Sequence, residues 1–156
     1  MPIAGGPFLV AAFFCDKFLR EADGVLSAIR IVDRWNVTGP TETMQPAILQ
    51  TNLLILLKSG LYHGSAQLLL TPISPANERL PTVTFPILFE GTEENGSGIA
   101  IPMAFPAQET GVYWFEIRLQ GQALQSSMIT AVPMRVTYLQ TFDPMLGRPN
   151  QNNPGL

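Results

Sequence analysis

The chain has 156 residues, of which 46% are hydrophobic and only 13% charged, with a net charge of −3. That length fits one domain with a sizeable core, and the apolar excess excludes disorder over most of it. The acidic balance excludes the basic face a nucleic-acid binder needs, and the single cysteine, Cys15, excludes an internal disulfide framework and fits a reducing compartment.

Residues 1–7 are rich in Gly and Pro and read as a lead-in. The apolar run FLVAAFF follows, with no Lys or Arg before it, and it is short for a signal core. Phe14 stands before Cys15 where a lipoprotein signal needs a small residue, so the expectation is a cytoplasmic protein. No apolar run reaches the roughly 18 residues that span a bilayer. Short apolar runs punctuated by Gly, Pro and Asn then predict strands at 8–19, 25–37, 52–58, 65–72, 82–90, 98–105, 112–119 and 132–139. Residues 45–49 have room for a helical turn and no more. Pro86 and Pro102 interrupt apolar runs, and a proline cannot donate to a ladder, so their strands belong at edges or bulges. Residues 91–98 read as an acidic hairpin loop. The last apolar stretch is long for one strand and predicts a bulge or break near Ser126–Ser127. The whole predicts an all-β fold: an antiparallel two-sheet sandwich, immunoglobulin-like, of about 7–8 strands. Residues 1–142 form a single domain and 143–156 a polar tail rich in Pro and Asn.

The charges gather in FFCDKFLREADGVLSAIRIVDRW, where EADG between two apolar runs signals a hairpin. Ala22 and Asp23 suit a type I turn and Gly24 a G1 bulge. Glu21 then pairs with Val25, Phe18 with Ala28, Phe14 with Val32, Cys15 with Ile31 and Lys17 with Ile29, and Asp16 falls opposite Arg30. Such cross-strand charge pairs contribute roughly 0.2–1 kcal/mol and penalise a slip in register. Asp16, Arg30, Asp33 and Arg34 are therefore a polar cluster with a structural role, or a patch for a partner. Arg30 has apolar neighbours on both sides; if it were buried, losing its carboxylate would cost about 3–5 kcal/mol.

The same stretch, with GVYWFEIRLQGQAL and VPMRVTYL much later, resembles a family of small bacterial proteins of unknown function. Its members open with a strand ending in Cys-Asp, continue with a Gly-containing turn and a Leu-Ser-x-x-Arg-Ile-x-Asp-Arg-like strand, and close on a Gly-x-Tyr-x-Phe strand and a final hairpin. The resemblance covers about a third of the chain, at both ends. It implies a β-sandwich and assigns no activity.

In GVYWFEIRL, Tyr113, Phe115, Ile117 and Leu119 form an apolar face, and Val112, Trp114, Glu116 and Arg118 a mixed one. The Gly-x-Tyr start is similar to a late strand of immunoglobulin-like sandwiches, whose Tyr hydroxyl bonds back to nearby backbone. Trp114, on the mixed face, is half-buried packing or an interface anchor. Catalytic chemistry finds little support. The one histidine, His63, lies in a turn-like stretch and Cys15 in an apolar strand, and one His with one Cys builds no common zinc site. Glu90, Glu93, Glu94 and Asn95 lack the alternating spacing of a calcium loop, and no phosphate-binding loop opens a helix. No catalytic, cofactor or metal residues are expected. The sequons at Asn36 and Asn95 carry no meaning in a bacterial cytosol. The favoured expectation is a non-catalytic interaction or assembly module with a protein partner or as a homo-oligomer. The alternative, prompted by NLLILLKSG and QLLLTPI, is a carrier of a small apolar ligand or lipid between the sheets.

Overall fold

Among the described residues, alternating apolar residues form nine strands: β1 (Phe8–Arg20), β2 (Leu26–Val32), β3 (Arg34–Gly39), β4 (Ala47–Lys58), β5 (Gly64–Ile73), β6 (Val83–Phe89), β7 (Gly96–Ala107), β8 (Gly111–Gly121) and β9 (Leu124–Gln140). The structure, a computed structural model, describes residues 5–90, 96–121 and 124–141, without the side chains of 96, 97 and 124–128. The expected tail at 143–156 lies outside the described residues. No helix occurs among them, and so none long and apolar enough to cross a membrane.

One sheet has the order β2-β1-β4-β7 and the other β3-β9-β8-β5-β6. Within them, β1-β4-β7 and β9-β8-β5-β6 follow the A-B-E and G-F-C-C′ orders of an immunoglobulin-like sandwich. Among the described residues the pairings are antiparallel except β3 with β9, which is parallel. The expected strand at 25–37 is really two strands in opposite sheets. Val32 pairs with Phe14 in the first sheet and Arg34 with Arg135 in the second, so the chain crosses over at Asp33. The expected helical turn at 45–49 is also corrected. Ala47–Leu49 pair with Phe105–Ala107, and Leu49 is buried in the core. The acidic segment after Glu90 is no hairpin loop, because β6 and β7 belong to different sheets; residues 91–95 themselves lie outside the described residues.

Other expectations hold. The hairpin register from Phe14↔Val32 to Phe18↔Ala28 is as derived, Gly24 has φ 87°, and its N–H donates to Glu21 O at 2.9 Å. Pro86 and Pro102 sit on β6 and β7, the edge strands on the same side of the sandwich. The β8–β9 ladder slips twice, once opposite Ile129 and once across Gln125 and Ser126.

Aromatic rings join the sheets. Phe14 of β1 meets Phe115 of β8 edge-to-face at 5.0 Å, and Phe105 of β7 meets Phe115 at 5.2 Å and Tyr113 at 5.1 Å. The outer face of the first sheet is partly covered too. β1 pairs with β4 only through Cys15, and its remainder pairs with β2. Leu26 of β2 lies against Gly98 of β7, where an added Cβ would come 2.5 Å from Leu26 Cδ1 and 3.5 Å from Leu56 Cδ2. The hairpin thus folds back over that face. This explains why Cys15 and Leu54, which point away from the core, are buried.

Candidate interaction site

The four hairpin charges resolve into two pairs. Arg30 Nη1 lies 2.9 Å from Asp16 Oδ2, and Arg34 Nε lies 3.3 Å from Asp33 Oδ1 across the sheet crossover. Arg30 is not buried: its side chain is 75% exposed, so the pair is solvated and worth at most about 1 kcal/mol. Its backbone is the unusual part. Arg30 has φ 56°, a left-handed conformation inside an edge strand, which costs an L-residue roughly 1–2 kcal/mol. Arg30→Gly is therefore expected to unfold at higher urea than Arg30→Ala, by about 1 kcal/mol in stability. Equal midpoints would show that the conformation is unstrained.

The second sheet carries the denser constellation. Along β8, alternate residues Trp114, Glu116 and Arg118 point outward because Tyr113, Phe115, Ile117 and Leu119 fill the core. Trp114 is 45% exposed and sits between Ile73 of β5 and Pro133 of β9. Glu116 is only 8% exposed, flanked by Thr71 and Ala131. Arg79 Nη2 donates to one of its carboxylate oxygens and Arg118 Nη2 to the other at 3.2 Å. Thr71 and Thr82 share a 2.7 Å hydroxyl contact beside them. The Arg79 hydrogen bond holds the Glu116 carboxyl below its ordinary pKa, against the opposing effect of burial, with Arg118 adding to it. Ionised Glu116 fixes two guanidinium groups on side chains that remain 54% (Arg79) and 35% (Arg118) exposed.

Because the folded pKa is lowered, the unfolded chain binds the proton more readily. The stabilisation is complete above the ordinary Glu pKa of about 4.3 and drains away as pH falls through the lowered folded value. Glu116→Gln should be less stable than the parent at pH 7 yet lose less on acidification, as read by urea midpoints between the two conditions. Parallel pH profiles for the two proteins would contradict this.

The sequence points to Trp114 and sets Glu116 and Arg118 on the same mixed face, but their joining with Arg79 is a finding of the structure. The two-residue spacing of Trp114, Glu116 and Arg118 was a usable signal. Arg79 was not visible, since it follows the turn after β5 and returns through a bridge to Ile73. Cys15 is fully buried, and burial, then Asp16, push its thiol pKa up; His63 is exposed. No group of three or more metal-ligating side chains occurs among the described residues.

An apolar groove of about 420 Å³ opens on the lateral side between edge strands β6 and β7, lined chiefly by Leu80, Val83, Phe85, Ile101, Met103 and Phe105. The opposite side is crossed by the chain at Asp33. No family model matches the chain, and no curated protein matches its sequence.

Proposed function

We propose that the chain is a non-catalytic protein-interaction module that engages its partner through the outer face of the second sheet. The observation that carries this reading is Trp114. A large aromatic stands 45% exposed at the centre of a sheet, beside arginines held by a buried carboxylate. Trp and Arg dominate the energetics of protein interfaces, and a tryptophan left in water forfeits its apolar burial. The resemblance of the β1–β2 and β8–β9 segments to the bacterial family belongs to this reading, as does a cytoplasmic setting, and neither assigns an activity. A partner interface is expected to bury at least about 1,000 Å². The test immobilises the intact protein, captures partners from lysate, and follows its own association by sedimentation, with Trp114→Ala alongside. Capture or self-association that Trp114→Ala abolishes supports the module. A monomer with no partner, or a variant indistinguishable from the parent, removes it.

The groove between β6 and β7 favours a second reading, a carrier of a small apolar ligand. Its volume of about 420 Å³ lies within the range of ligand pockets, roughly 300–1,000 Å³. Here the ligand would lie at the open edge rather than deep between the sheets. Met103→Lys should abolish fluorescence enhancement of an apolar dye if the dye occupies this groove.

A further inference from the structure

Strands β3, β5, β6, β8 and β9 carry four charged residues, Arg34, Glu116, Arg118 and Arg135. Arg79 joins them through its bridge to Ile73. Arg34 and Arg135 are direct neighbours across the parallel β3–β9 pair, and both are exposed. Like charges placed opposite each other destabilise a sheet, so this pair works against the isolated fold. Arg135 lies one side-chain repeat, about 7 Å, along β9 from Pro133. Pro133 and Ile73 flank Trp114 across three strands. The face is therefore an apolar bar, Ile73–Trp114–Pro133, running across three strands, with guanidinium groups on its two flanks along the strand direction: Arg34 and Arg135 at the level of Val112 on one side, Arg79 and Arg118 around Glu116 on the other. Against four arginines stand Glu116, already used within the cluster, and Asp33 at the rim, paired with Arg34. With exposed Glu78 beside Arg79 in the same turn, the local balance is 4 − 3 = +1, in a chain whose net charge is −3.

We infer that this face binds an acidic protein segment, with carboxylates at both ends of an apolar centre. The inference rests on the interaction-module reading and names the chemistry of its partner. Planar guanidinium groups match carboxylates in bidentate geometry, and the apolar bar takes the side chains between them. Arg34 and Arg135 lose their mutual repulsion when a carboxylate lies between them.

The test titrates a fluorescein-labelled oligoglutamate peptide with a central Leu-Leu into the intact protein and follows anisotropy. Binding should be evident at about 0.02 M salt and fall steeply by about 0.2 M, as the screening length shortens. Arg34→Gln/Arg135→Gln should weaken it about tenfold, and Trp114→Ala as well, while Arg20→Gln on the hairpin should not. Both arginines are exposed, so the double variant keeps its fold, which circular dichroism checks. An oligoglutamate affinity unchanged by the double variant overturns the inference. So does equal binding of an oligothymidylate, or self-association that oligoglutamate does not compete away. If Trp114→Ala still abolishes partner capture while oligoglutamate fails to bind, the acidic partner falls and the module reading stands.

Discussion

Phe115→Ala is expected to lower the unfolding free energy by about 3–5 kcal/mol. The reason is position. Phe115 is 2% exposed and touches Phe14 and Phe105 edge-to-face, so one ring from the second sheet is clasped by two strands of the first. Truncation removes the apolar transfer energy, two ring contacts, and the filling of a cavity that rigid strands cannot collapse. Phe115→Leu should recover more than half of the loss. Urea unfolding followed by tryptophan fluorescence measures both. A cost below about 1.5 kcal/mol for Phe115→Ala would mean that the sheets do not meet at this ring.

The second large effect is expected at the start of β8. Tyr113 is 2% exposed, and its hydroxyl accepts from the N–H of Gln108 at 3.1 Å and of Glu109 at 3.3 Å while donating to Glu109 O at 3.2 Å. This loop precedes the strand, so the hydroxyl ties down the chain between β7 and β8. Tyr113→Phe keeps the ring and strands those groups, at about 1–3 kcal/mol. Gly111, two residues earlier, has φ 130°, and an added Cβ would lie 2.7 Å from Pro75 Cβ. Gly111→Ala should therefore also destabilise, by about 1–3 kcal/mol. The two changes act on one corner, so the double variant should lose less than the sum. Strict additivity would show the two residues to be independent.

The corner was legible in the sequence because Gly-x-Tyr before an alternating strand is a local signal. So was the first hairpin, whose turn chemistry fixes its register within a few residues. The crossover at Asp33 was missed, although it leaves a trace. Val32 packs against the core and so do Trp35 and Val37, an odd step from Val32 to Trp35, so the two-residue period slips by one at Asp33. Residues 45–49 read as a helical turn because Ala, Ile and Leu fit either state locally, and pairing of Ala47–Leu49 with Phe105–Ala107 decides for strand.

Period, turns and prolines in the amino-acid sequence determined that this protein is an all-β sandwich, that the strands of Pro86 and Pro102 lie at its edges, and where its first ribbon bends. Each of those is set by neighbours a few residues apart. Only the tertiary structure decided that the chain changes sheets at Asp33, that the hairpin folds over the first sheet, and that Arg79 meets Glu116. Those contacts join residues far apart along the chain, and their energy comes from burial and charge pairing that exist only once the two sheets have closed on each other.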